Sequence, residues 1–289
     1  MTNTKNDLNG WLVIDKPKGI SSAGVVGRLK FLLHPKKIGH AGTLDPLATG
    51  VLPIALGKAT RLIPFVMDDS KTYEFDIKWG IETDTDDLGG NEIATCDQRP
   101  AKEEILAILP KFFGEITQIP SPYSAIKVRG KRAYELVRQG EDVKIPERII
   151  NIHKLELIKN TKTDASFVAK VSKGTYIRTL AHDLAHALGT VGVVTRLHRI
   201  QDGPFEIGQA VSLENELKIL PMECVLGKIQ KLVVSSEVAE RICHGQRIKD
   251  KNLVNGLNVG NPVAIWYEEK VIAIMHVHGD VLHPDCILV

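Results

Sequence analysis

The stretch of this 289-residue sequence best suited to chemistry is Gly39-His40-Ala41-Gly42-Thr43-Leu44-Asp45-Pro46-Leu47-Ala48-Thr49-Gly50. Pro46 pushes Asp45 out of the helical region, so its carboxylate sits on extended or turn backbone. The flanking glycines let that backbone come close to another surface. From spacing alone the block is either an ordinary Asp-Pro turn or a carboxylate held for catalysis. A second constellation, His182 and His186, has the i, i+4 spacing of a helical zinc pair. The zinc-protease pattern, however, places a glutamate after the first histidine, and Asp183 is one methylene short. No third ligand stands out nearby, so no metal is expected, and the two histidines read as a surface or RNA-facing pair. Gly57-Lys58-Ala59-Thr60 fails the phosphate-loop pattern on spacing. No G-x-S-x-G is present to support a hydrolase elbow.

The elements around these residues follow from periodicity. Trp11 to Ile14 reads as a strand stopped by Asp15-Lys16-Pro17-Lys18-Gly19, and Ser21 or Ser22 can cap a helix to about Leu33. Tyr73, Phe75, Ile77 and Trp79 alternate with Glu74, Asp76 and Lys78, the pattern of a half-exposed strand. Residues 102–113 look helical. Residues 149–158 and 165–172 read as a hairpin that turns at 160–164. Ile177 to Leu188 reads as a helix ended by Gly189, with Ile177, Leu180, Ala181, Leu184 and Leu188 on one face. Residues 213–230 read as helix and loop. Val263–Tyr267 and Val271–Met275 form a hairpin in a β-rich tail. Strands and helices without strict alternation give an α+β body, with a boundary near residue 230.

Composition bounds the partners. Hydrophobic residues make up 43% and charged residues 25%, which is ordinary globular usage. The formal net charge of +2 gives no bulk attraction to nucleic acid, so such a partner must be argued from where the charge sits. Residues 121–140 hold Lys127, Arg129, Lys131, Arg132 and Arg138 against Glu135 alone, with Tyr123 and Tyr134 interleaved. Smaller basic groups lie at Arg28, Lys30, Lys36 and Lys37, at Lys170 and Lys173, and at Arg196 and Arg199. One positive side and one acidic side are expected. The four cysteines are far apart and read as reduced thiols. The polar start, Met1 to Asp7, and the lack of a long apolar run lead to the expectation of a cytoplasmic protein.

The block around Asp45 resembles the active-site motif of the TruB-type pseudouridine synthases. The likeness continues in order through Asp15-Lys16-Pro17-Lys18-Gly19, Gly39 to Phe65, Lys71-Thr72-Tyr73 and Thr83-Asp84-Thr85-Asp86-Asp87. It runs on through Tyr123 to Val128, Gly130 to Tyr134, Ser172 to Leu180, Leu197-His198-Arg199 and Gly203-Pro204-Phe205. It implies a catalytic body over residues 8–230, built on a mixed, mainly antiparallel sheet with flanking helices. Residues 231–289 would be a small PUA-like RNA-binding domain. The implied reaction isomerises the uridine at position 55, in the T loop of tRNA, by base flipping. The implied partner is the tRNA T loop and stem, with no cofactor, no metal, no membrane, no obligate protein partner and a monomeric chain.

The resemblance also assigns roles. Asp45 is the catalytic carboxylate, and Arg178 is its ion-pair partner. Tyr73 stacks on the target uracil, and its hydroxyl lies near C5 as a proton acceptor. His40 fills the space the extruded base leaves, and Tyr176 and Leu197 contact the flipped nucleotide. Lys16 and Lys58 face phosphate or support the loop. Asp87 is an alternative partner for Arg178 before RNA binds. Read from the residues alone, Tyr73 could equally be core, Arg178 a surface residue and the acidic run Glu82 to Asp87 a solvated loop.

Overall fold

The alternation from Tyr73 to Trp79 becomes the strand Lys71–Trp79, with Lys71, Tyr73, Phe75, Ile77 and Trp79 all on the buried face. This strand lies at the centre of a nine-stranded sheet in the computed structural model, which describes residues 5–67 and 69–289. The first four residues of the polar start therefore lie outside the described residues. Along the sheet the order is Gly10–Lys16, Thr49–Leu56, Gly192–Asp202, Lys71–Trp79, Asp164–Val171, Arg148–Asn160 and Gly114–Gln118. Ile38–His40 pairs with Thr49–Leu56, and Phe205–Glu206 with Gly192–Asp202.

All these pairings are antiparallel except one. The strand Gly192–Asp202 runs parallel to Thr49–Leu56, with His198 opposite Thr49 and Arg199 opposite Gly50. That exception positions the site. It carries the end of the Asp45 loop to the strand whose Arg199 also lies opposite Tyr73. Gly50 makes the approach possible: its φ is +98°, and a Cβ there would sit 2.2 Å from the Arg199 carbonyl oxygen. An L side chain would meet both strain and collision at this position.

The helix after Tyr176, Ile177–Ala187, buries Ile177, Leu180, Ala181, Leu184 and Ala185 against the sheet, and Arg178 goes down with them. Phe75 and Phe167 stack in the same core with ring centroids 5.3 Å apart. Leu44, beside Asp45, belongs to that core and anchors the loop. Ser21 caps the helix Ser22–Leu33 by accepting from the Gly24 N–H, as its type and place predict.

The segment 102–113 is α-helical only over Lys102–Ile108. It continues as a 3₁₀ turn, Leu109–Phe112, where Pro110 removes a backbone donor. Residues 213–230 depart further from expectation, with a single 3₁₀ turn at Met222–Val225. The chain here instead pairs with the sheet edge: Leu220 exchanges bonds with Trp11, and just ahead of this stretch Val211 N–H donates to the Val13 carbonyl.

A second sheet of five strands follows, in the order Gln230–Val233, Pro262–Tyr267, Lys270–His278, Val281–Ile287 and Ile248–Lys249. The helix Ser236–Cys243 accompanies it, with Ser235 accepting from the Val238 N–H. One apolar cluster joins the two sheets: Trp11, Val13, Val51 and Phe205 pack with Ala264, Val271, Ile274 and Leu288. Among the described residues no helix is long and apolar enough to cross a membrane.

Candidate active site

The Asp45 loop is fixed by its neighbours on both sides of the carboxylate. Leu44 N–H donates to Ser22 Oγ at 2.8 Å, and that hydroxyl donates back to the Leu44 carbonyl at 3.1 Å. Gly19 N–H donates to the Pro46 carbonyl at 2.7 Å. Lys16, fully buried, donates to the carbonyls of Pro17 at 2.9 Å, Ile20 at 2.7 Å and Pro46 at 3.4 Å. Burial pushes its ammonium down to about 8, and the charge of Asp45 opposes that shift. Of the two roles the resemblance implied for Lys16, phosphate contact or loop support, these bonds to three carbonyls fit the second. Lys58 lies on the 3₁₀ turn Gly57–Leu62, with its backbone N–H on Asn9 Oδ1. It lines neither of the two large cavities that Asp45 lines, so the structure does not bring it to the site.

Arg178 meets Asp45 from the helix. Its Nε donates to Asp45 Oδ2 at 2.9 Å, with the arginine side chain 6% exposed and the aspartate 38%. Nη1 donates to the Thr85 carbonyl at 2.6 Å, and Nη2 to the Tyr123 carbonyl at 3.3 Å. Asp87 Oδ2 lies 3.6 Å from Nη1, so one guanidinium serves both carboxylates and holds Asp45 more closely. Asp87 is itself fastened: its Oδ1 accepts from Thr85 Oγ1 and from the Gly89 N–H. A planar fork with five donors suits this multiple contact, where an ammonium would not.

Asp45 and Arg178 stand between two cavities. One, of about 740 Å³, is lined by His40, Asp87, Tyr123, Arg132, Tyr134 and Arg138 among others. The second, of about 590 Å³, is lined by Lys71, Tyr73, Arg148, Tyr176, Leu197 and Arg199 among others. The sequence-derived contacts Tyr73, Tyr176 and Leu197 thus face one space with Asp45, and His40 faces the adjoining one. Burial lowers the pKa of His40, and its buried Nδ1 has no partner among the described residues. The Tyr176 backbone exchanges hydrogen bonds with the Gln118 amide, and the Arg148 guanidinium lies 5.4 Å from the centroid of its ring.

Tyr73 is 8% exposed, and burial raises its pKa above that of a free phenol, with Arg199 opposing. At neutral pH it is therefore a phenol and not a phenolate. Beneath it lies a charged group that residue types alone did not single out. Arg199 Nε donates to the Val51 carbonyl at 2.7 Å and Nη2 to the Gly42 carbonyl at 3.3 Å. Asp202 lies 3.2 Å from Arg199 and 3.4 Å from Lys71. Gly42, with φ +89°, leaves room for this group: a Cβ would stand 3.1 Å from Asp202 and 3.2 Å from Arg199. The available signal was Arg199 in the Leu197-His198-Arg199 part of the resemblance, which lies within the strand Gly192–Asp202.

The basic and aromatic segment walls the larger cavity through Tyr123, Arg132, Tyr134 and Arg138. It is held by a small core of its own, Ala133, Leu136, Val143 and Ile145, and leaves Lys127, Arg129 and Lys131 exposed. Farther along the same face of the Arg178 helix, His182 and His186 meet a third group of ligand type that the sequence did not reveal. Glu82 places its carboxylate against both.

Two family models match this arrangement. The N-terminal domain of TruB family pseudouridylate synthase matches residues 30–177, and the tRNA pseudouridylate synthase B C-terminal domain matches residues 178–227. The chain belongs to the TruB family. A TruB relative named tRNA pseudouridine synthase B in Bradyrhizobium diazoefficiens is 46% identical, covering 84% of this chain and 75% of its own length. Another of that name in Nitrobacter winogradskyi is 44% identical, covering 97% and 82%. Among solved structures, a chain of a Cbf5-Nop10-Gar1 complex superposes with TM-score 0.73 at 24% identity, covering 97% of this chain and 85% of that one. That likeness is one of fold, and it includes the β-rich C-terminal part of the TruB chain.

Proposed function

We propose that this chain isomerises the uridine at position 55, in the T loop of tRNA, to pseudouridine, with Asp45 as the catalytic carboxylate. The supporting observation is the 2.9 Å Asp45–Arg178 pair at the boundary of two cavities, with Tyr73, Tyr176 and Leu197 around it.

The reaction breaks the C1′–N1 bond, turns the uracil and joins C5 to C1′. A proton leaves C5 and N1 gains one. The product is an isomer, so the balance requires no oxidant, reductant or nucleotide. A carboxylate near C1′ and C6 acts by attack or by taking a ribose proton, and either role requires its ionised form. Bound RNA covers Asp45 and removes its remaining contact with water, so its charge must be met by the protein. The guanidinium offsets that cost while leaving one carboxylate oxygen free of Arg178. Tyr73, a neutral phenol on a rigid strand, offers its ring to the flipped uracil.

Extrusion of a stacked base costs a few kcal/mol, which phosphate and stacking contacts must supply. The exposed cations of residues 127–131 and the wall of Arg132, Tyr134 and Arg138 are placed for the T loop and stem. His40, neutral and half-buried, would fill the gap in the loop. In this reading residues 8–230 form the catalytic body and residues 231–289 an RNA-binding unit, in a cytoplasmic monomer with no obligate protein partner. The test is incubation of the purified chain with a tRNA transcript and mapping of the product. A single pseudouridine at position 55 is expected. Tight binding without isomerisation would make the chain an RNA-folding factor instead.

A further inference from the structure

Glu82, His182 and His186 lie outside the isomerase site, and nothing in the reaction uses them. We infer that they form a binding site for one zinc-class divalent cation, which braces the acidic loop against the Arg178 helix. The distances carry the inference. Glu82 Oε1 is 3.4 Å from His182 Nε2, and Glu82 Oε2 is 3.0 Å from His186 Nε2. The ligand atoms of all three residues lie within 4.8 Å of one another. Bonds of about 2.0–2.1 Å in a tetrahedron place ligand atoms roughly 3.3 Å apart, so the two closest separations already have the required size.

The surroundings support a cation. The histidines are one turn apart on one helix, with imidazole centroids 4.1 Å apart, so small rotations bring both Nε2 atoms to a common centre. Asp183 Oδ1 lies 3.2 Å from His182 Nδ1. That contact fixes the tautomer with the proton on Nδ1 and turns the Nε2 lone pair toward Glu82, as carboxylates behind zinc-bound histidines do. Glu82 is a mostly buried carboxylate, whereas the two imidazoles are partly exposed at 31% and 48%. The fourth position therefore opens to water. Two imidazoles and one carboxylate select zinc, cobalt, nickel or copper over magnesium or calcium.

The consequence follows from chain connectivity. Arg178, His182 and His186 occupy positions i, i+4 and i+8 and form one stripe on the helix. Glu82 lies in the short strand Ile81–Thr83, which leads into Thr85 and Asp87, both of which hold the Arg178 guanidinium. A cation joining Glu82 to the helix pins the root of that loop and keeps its grip on Arg178.

The test is metal binding by the full chain without RNA, so its outcome is independent of whether the chain isomerises uridine. Chelator-treated protein is titrated with Zn²⁺ against a chromophoric competitor, then with Co²⁺ for its visible spectrum. One zinc per chain is expected, with a tetrahedral Co²⁺ spectrum that lacks a thiolate charge-transfer band. His186→Ala, at a half-exposed position, should abolish the site while the circular dichroism spectrum stays unchanged. Asp183→Ala should weaken it by about 10- to 100-fold. No stoichiometric zinc, binding unaltered by His186→Ala, or a cysteine-type cobalt spectrum would each overturn the assignment.

Discussion

Arg178→Lys separates charge from geometry at the centre of the site. The guanidinium reaches Asp45 through Nε, the Thr85 carbonyl through Nη1 and the Tyr123 carbonyl through Nη2. An ammonium is a single point and cannot occupy three donor positions along a planar fork. It retains the positive charge that RNA meets, so tRNA affinity should stay within a few-fold of wild type. The bonds to Thr85 and Tyr123 hold the loops in ground and transition states alike, and their loss appears as stability. The bond to Asp45 bears on the reacting group. A hydrogen bond between charged groups contributes about 1.5–3 kcal/mol. Its loss corresponds to a rate reduction of about 10- to 150-fold. The assay is single-turnover release of tritium from C5-labelled uridine in a tRNA transcript, at saturating enzyme. A rate within about threefold of wild type would refute the requirement for the guanidinium's Nε bond to Asp45.

Other predictions probe the scaffold and the RNA surface. Gly50→Ala, at φ +98° with a Cβ 2.2 Å from the Arg199 carbonyl, should destabilise the fold by about 2–4 kcal/mol in urea, and a neutral effect would contradict the packing argument. Lys16→Met removes the donor to three carbonyls and should also cost about 2–4 kcal/mol. Because the folded-state value of Lys16 is about 8 and the free value 10.5, the unfolded chain binds more protons between those limits. Stability attributable to Lys16 therefore rises across that window, by up to about 3 kcal/mol. Denaturation of wild type and Lys16→Met at pH 8 and pH 10 reads the difference, and a flat or falling one would contradict the buried ammonium. The double variant Arg129→Gln, Lys131→Gln should weaken tRNA binding and lower the salt slope by about 2, with a near-normal single-turnover rate at saturation. An unchanged slope would remove this face from the RNA interface.

The parts legible in the sequence were those governed by local periodicity. The strand Lys71–Trp79 and the helix Ile177–Ala187 each bury one regularly spaced face, and each was visible as such. The stretch 213–230 was not, because Leu220 within it serves an edge pairing with Trp11, about 200 positions earlier. Buried charge was the other blind spot. For Lys16 the sequence left phosphate contact and loop support both open, and its ammonium meets carbonyls of its own loop and of Pro46. Arg199 and Asp202 come to lie against Tyr73 and Lys71 only through the antiparallel pairing of Gly192–Asp202 with Lys71–Trp79. Glu82 lies 104 positions before His186, a separation no motif spans, and only the fold shows it as a third ligand. For Asp45 the residues left two readings open, and the fastened loop with its buried guanidinium favours the catalytic one.

The most direct measurement concerns Asp45 itself. Asp45→Asn keeps the size of the side chain and a hydrogen-bonding oxygen for Arg178 but removes the charge. On a tRNA transcript at saturating enzyme, wild type should convert uridine 55 completely, and the variant should bind the same transcript with no detectable pseudouridine. Conversion by the asparagine variant at a rate comparable to wild type would contradict the central claim.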